Sequence, residues 1–293
     1  MERILFGDNQ FFGINHMSEE RARAQAMRFQ DIKEIIRTLD DAYDAGIKVF
    51  MCTTHQRIEE VCDHVRANKE RYKDFQFYPC MPYAHKYANA VTEYGITGAV
   101  GKLLPGESKF GTLLKSGLSL ARLDMESLAG LLIDAEMKMF HQLNTPVIFI
   151  QNVVTDLILG IGAFDAFRMF ADHVRKKYNA EPGFITMNMP ALLDALESVG
   201  IVNPIICANV NKIGFRMSGG IEGYEQLIAT RKFRPVAMSV FASGAISPRE
   251  AIEYVCDQPQ IESIVFGASS QRNIVQTKAL IDEMTHAPIT VEP

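Results

Sequence analysis

Tryptophan is absent from the 293-residue chain, so ligand binding has no indole fluorescence to report it. No stretch of about 20 uncharged apolar residues occurs, which excludes a helical membrane span. Basic charge is not in excess. Thirty Lys and Arg against 35 Asp and Glu leave a net charge of -5, which argues against a nucleic-acid partner, since that calls for a clustered basic face. Cys-x-x-Cys pairs are missing, and the five cysteines, at positions 52, 62, 80, 207 and 256, are odd in number. That usage suggests reduced thiols and a cytoplasmic location rather than a disulfide framework. The opening "MERILFGDN" lacks a signal-peptide layout and runs straight into a strand pattern.

What is present is a soluble, globular composition, 47% apolar and 22% charged, long enough to bury its own core. Short β-branched or aromatic runs alternate with segments of helical period, the mark of repeated βα units. The runs predict strands at 3–7, 48–52, 76–80, 147–151, 184–188, 205–209, 236–240 and 263–267. Helices fall between them. In "DIKEIIRTLDDAYDAG", Ile32, Ile35, Ile36, Leu39 and Tyr43 share a stripe that Gly46 ends, and Pro190 and Pro248 suit first helical turns. Eight strands alternating with helices predict one α/β domain over 1–293, a (β/α)8 TIM barrel. Residues 8–28 and 81–124 are longer than the connections around them and follow strands one and three. The second is expected to be a lid or insertion at the C-terminal mouth.

Several stretches resemble one family. "ITMNMPALLDALESVGIVNPIICANVNKIGFRM", "VAMSVFASGAIS" and "IESIVFGASSQRNIVQTKALID" are similar, in order, to strands five to eight of the aldo-keto reductases and their Gly-rich exits. "ILFGDNQFFG" and "AYDAGIKVFMCTT" fit the family's first two strands more loosely; about 84–120 falls outside the likeness. The resemblance implies an oxidoreductase-like barrel, and it maps the reductase tetrad onto other residues. The Asp position carries Met51 or Cys52, the Tyr falls in "THQR", the Lys becomes Cys80 or Met81, and the His becomes Gln151 or Asn152. The cofactor side matches better. The likeness implies NADP or NAD, with Asn188 and Asn209 on its amide and a phosphate loop from Ser239, Gly244, Gly267, Ser269 and Ser270. Yet Ser269 and Thr277 stand where NADP-specific members have Arg or Lys and Asn.

A barrel mouth built this way collects thiols, amides and imidazoles at strand ends, which points to a polar pocket for a small, in one reading phosphorylated, molecule. His55 is the expected proton carrier, with Asp8, Asn152 and Asn188 orienting; its plainer reading is an idle helix-start residue. His85 sits in the lid segment, and Cys80 is either a nucleophile or a buried inert thiol. Asp8, His16, His55, His85 and Cys80 offer metal ligands, though without any H-x-H or H-E-x-x-H spacing. Four functions stay open: an enzyme of another reaction, a nicotinamide-dependent oxidoreductase using His55 or His85, a metal-dependent hydrolase or isomerase, and a non-catalytic ligand-binding barrel.

Overall fold

The computed structural model describes residues 1–13, 19–82 and 125–285. Its strands are β1 (Ile4–Gly7), β2 (Val49–Thr53), β3 (Gln76–Met81), β4 (Val147–Ile150), β5 (Glu181–Thr186), β6 (Ile205–Asn209), β7 (Arg234–Met238) and β8 (Ser263–Phe266). They pair in sequence order, all parallel, and β8 returns to β1 through Leu5↔Val265, so the barrel closes. Ten helices are described: α1 (Glu19–Arg28), α2 (Ile32–Asp44), α3 (Gln56–Ala67), α4 (Met125–Met137), α5 (Asn152–Ile161), α6 (Asp165–Tyr178), α7 (Met189–Ser198), α8 (Gly220–Thr230), α9 (Pro248–Cys256) and α10 (Gln271–Thr285).

Each strand is buried on both faces, which is why its sequence reads as a nearly unbroken apolar run. Alternate side chains split between two layers. Leu5, Val49, Tyr78, Phe149, Ile205 and Val236 fill the barrel. Phe6, Phe50, Phe77, Phe184, Ile206 and Ile264 pack outward against the helices. Inside, Phe149 lies beside Gly183 in the β4–β5 register, and a Cβ at 183 would come within 2.4 Å of its ring. The glycine is the space that the aromatic ring fills.

Helix ends follow their local signals. Gly46 takes φ +89 after α2; its N–H donates to the Tyr43 carbonyl and that of Ile47 to Ala42, so two orphan carbonyls are satisfied. Ser247 caps α9 ahead of Pro248, and Asn188 caps α7 ahead of Pro190.

Two strands and one helix depart from expectation. β5 starts at Glu181 rather than 184 and ends at Thr186 rather than 188; β7 spans 234–238 rather than 236–240. Both begin on residues that look like punctuation, Glu-Pro-Gly and Arg-Pro, which neighbouring strands pair nonetheless, as Val147↔Glu181 and Ile205↔Arg234 show. β5 stops early because Asp156 of α5 accepts from the Met187 N–H, and Thr186 Oγ1 from the Asn188 N–H, drawing both out of the ladder. Helix α5 itself has apolar residues all round and two nearby glycines, so no single stripe announces it; Val153, Leu157 and Ile161 stay exposed. Within 8–28, the described residues form a 3-10 turn, Asn9–Phe12, and α1. The expected lid lies outside the described residues except for Met81 and Pro82. Among the described residues no helix is long and apolar enough to cross a membrane.

At the end of the barrel opposite the strand exits, Arg234 grips Glu262 through Nε at 2.7 Å and Nη2 at 2.8 Å, and also pairs with Glu181. The guanidinium holds the Glu262 carboxyl down to about 2. Because this folded-state value lies below the unfolded one, the stabilisation is present above the usual glutamate range and lost as pH falls toward 2. Glu262→Gln should cost about 1 kcal/mol at neutral pH, given partial exposure. Chemical denaturation at several pH values should show that gap closing between about pH 4.5 and 2. Gly183→Ala should cost about 1–3 kcal/mol in the same assay, as overpacking against Phe149.

Candidate active site at the barrel mouth

A cavity of about 1210 Å3 opens at the C-terminal ends of the strands. It begins between Met51, Thr53 and Cys80, passes Asn209 and Met238, crosses the exits of β7 and β8, and follows α10 from Asn273 to Glu283. At 1.5 Å per residue, that last stretch alone is about 15 Å long.

A buried carboxyl lines the cavity at the exit of β1, that of Asp8, 6% exposed. Asp8 Oδ2 accepts from both the Thr53 N–H and its hydroxyl, each at 2.7 Å. Burial raises the carboxyl above its ordinary range, and the Thr53 bonds only partly offset this. A carboxyl with a raised pKa and a fixed orientation lines the cavity.

Strand alternation sorts the neighbouring stretch Cys52–His55. Thr53 turns into the lumen, whereas Cys52 turns out and packs in the strand–helix layer with Cys62. Thr54 is buried, and its Oγ1 finds no partner among the described residues. His55 does not line the cavity: it is the N-cap of α3, Nδ1 accepting from the Arg57 N–H at 3.0 Å, and its ring lies 4.4 Å from that of Phe12. Burial and then Arg57 lower its pKa. By the same alternation Met51 and Cys80 face the lumen, while Cys52 and Met81 face the helices.

Cys80 lines the cavity, with Cys207 nearby in the lumen. Burial, then the Asp8 charge, push the Cys80 thiol well up, which keeps it protonated and disfavours nucleophilic attack. Asn152 and Gln151 both line the rim.

Of the residues matched to a cofactor, Asn209, Ser239, Gly244, Gly267 and Ser269 line the cavity, and Asn188 and Ser270 do not. Asn188 spends its side chain on the Ala191 N–H, and Ser270 Oγ accepts from that of Asn273. Asn209 is 1% exposed; Nδ2 donates to the Arg216 carbonyl at 2.9 Å, and Oδ1 has no donor among the described residues. The β7 exit is strained: Ser239, Ala242 and Ser243 all take positive φ, at 54, 45 and 58°. At the β8 exit, Gln10 donates from Nε2 to the Gly7 carbonyl at 2.8 Å, and its Oε1 would lie 2.0 Å from a Cβ at 267. A side chain at 267 would displace the Gln10 amide.

His16 and His85 lie outside the described residues. Among the described residues, no three His, Cys, Asp or Glu side chains gather closely enough to hold a metal ion. Sequence reasoning did not single out Met187, Ser243 or Arg216 as site residues, although all line the cavity. They sit in irregular exits where no periodicity marks them.

Asp8→Asn keeps an acceptor for Thr53 and removes the buried acid. Because the folded-state pKa of Asp8 is raised, wild-type stability from this group is present at low pH and lost as pH rises through that value. Thermal melts should therefore show Asp8→Asn gaining on wild type as pH climbs from about 4, the ordinary carboxylate range. A constant gap would mean that Asp8 is not buried as an acid.

No family model matches the sequence, and no curated protein matches it. Solved structures do. A Pseudomonas aeruginosa protein described as an aldo-keto reductase is 13% identical with a TM-score of 0.62, over 97% of this chain and 90% of that one. An aldo/keto reductase from Brucella melitensis is 10% identical with a TM-score of 0.50, over 87% and 90%. A structure described as a 2,5-diketo-D-gluconic acid reductase B is 9% identical with a TM-score of 0.53, over 99% and 90%. In fold, the chain is an aldo-keto-reductase-like (β/α)8 barrel.

Proposed function

We propose that the chain is an oxidoreductase whose mouth cavity holds a nicotinamide dinucleotide beside a small polar substrate. The observation that carries this reading is the cavity's extent. Sites for one small molecule run to roughly 300–1000 Å3. This one is about 1210 Å3 and continues from the acid at Asp8 to the side of α10. An extended ligand together with a compact one suits that shape.

The residues present fit such a cofactor in three places. Asn209 Oδ1, buried and lacking a donor, suits the N–H of a carboxamide. The tight glycine exit at Gly267 and the hydroxyl of Ser269 suit phosphate oxygens approached by backbone, and the strained turn around Ser239 and Gly244 lies across the same trench. A bound nicotinamide would supply hydride chemistry. Asp8 would hold a proton next to the substrate oxygen and release it as charge develops there, the role of a general acid with a raised pKa. Asp8 takes this role, rather than His55, because Asp8 lines the cavity and His55 caps a helix. Thr53 fixes the acid's orientation, and Met51, Cys80 and Met238 keep its surroundings poor in charge.

Titration of the protein into NADPH and NADH, followed by the cofactor's own fluorescence, tests the reading. Saturable micromolar binding is expected. Absence of binding to both would overturn it. With a carbonyl substrate found by panel screening, Asp8→Asn should lower kcat at least 100-fold. Full activity in that variant would remove Asp8 from the chemistry.

A further inference from the structure

The connection from β6 to α8 is built around two buried asparagines. Asn211, fully buried, accepts from the Phe215 N–H at 2.7 Å through Oδ1 and donates to the Phe215 carbonyl at 3.0 Å through Nδ2. Asn209 then takes the next carbonyl, that of Arg216. Met217 is sunk into the core at 6% exposure, and the Ser218 N–H donates to the Met187 carbonyl. Between these anchors Arg216 is held at φ +54, a left-handed conformation that is unfavourable for an arginine. The strain is tolerated because it aims the Arg216 carbonyl at Asn209.

The side chain carried by this fixed backbone is exposed and lines the cavity, its guanidinium 5.5 Å from the Phe215 ring centroid. Two other cations near the strand exits spend their charge on carboxylates, Lys212 on Glu250 and Arg249 on Glu283. Arg216 pairs with no carboxylate among the described residues. The carboxyls that line the cavity are engaged elsewhere, Asp8 by Thr53 and Glu283 by Arg249. A pre-organised guanidinium on the wall of a ligand cavity, with its five donors uncommitted to any carboxylate, is matched by an oxyanion.

We propose that Arg216 is the substrate-selecting residue, binding a carboxylate or phosphate group on the small substrate. The inference rests on the reading of the mouth cavity as the ligand site, and it names the substrate class as anionic. Binding is not a catalytic step, so Arg216 acts on affinity and leaves proton transfer to Asp8.

Calorimetric titration of wild type, Arg216→Gln and Arg216→Lys with inorganic phosphate tests it, with and without saturating NADPH. Wild type should bind phosphate in both conditions. Arg216→Gln should bind about tenfold more weakly, and Arg216→Lys, which keeps the charge without the fork, should fall between. Equal phosphate affinity in Arg216→Gln, or no phosphate binding by wild type, would overturn the proposal. So would displacement of phosphate by NADPH with a matching loss of NADPH affinity in Arg216→Gln, since the anion would then be the cofactor's. If NADPH binds to none of the three proteins, the cofactor reading fails alone and the phosphate arm still decides the role of Arg216.

Discussion

Closure of the eight-stranded sheet is the constraint from which the rest follows. Once β8 pairs with β1, every strand must send alternate side chains into a lumen too narrow for anything but close packing. Tyr78 and Phe149 fill that lumen below the mouth, Phe149 occupying the room that Gly183 leaves. A ligand therefore meets only the last lumen-facing residue of each strand and the exits beyond it. Alternation divides Thr53 from Cys52 and Cys80 from Met81, and those two divisions set which atoms are available for chemistry.

The two ends of the barrel are electrostatic opposites. At the closed end Arg234 pairs with both Glu262 and Glu181, so charge there serves the fold. At the mouth a carboxyl is buried beside protonated thiols, with burial the dominant effect on both. Among the described residues, Arg216 brings a cation to the cavity wall at the rim. Under the proposed function, such a layout would keep proton transfer in low-dielectric surroundings and leave recognition of an anion to a guanidinium near solvent.

Many polar residues at the strand exits hold backbone rather than ligand. His55, Asn188 and Ser247 accept from first-turn N–H groups of helices, as Ser270 does for Asn273, and Asn211 and Asp156 secure loop peptides. Helix N-termini leave donors that must be satisfied, and the mouth of a (β/α)8 barrel collects them. The density of amides and hydroxyls that marks this face in the sequence thus has two sources. Among the described residues, Gln10, Gln25 and Asn209 combine contact with the cavity with an acceptor that has no donor, and Asp8 and Arg216 bring an acid and a cation to its wall.

The sequence by itself determined the alternation of strands and helices, the stop at Gly46, the proline starts at 190 and 248, and the likeness to the aldo-keto reductases. Each of these is a local signal, carried by period, turn chemistry or word order along the chain. It also determined that Asp8, Asn209 and Gly267 lie at strand exits. It did not determine where β5 and β7 begin, because Glu181-Pro182-Gly183 and Arg234-Pro235 become strand only when neighbouring strands pair with them. Nor did it show that Asp8 lines the cavity while His55 caps a helix. That difference depends on which way a side chain points after the sheet has closed and on which N–H groups compete for it. Those are properties of contacts between residues distant in the chain, and only the tertiary structure supplies them.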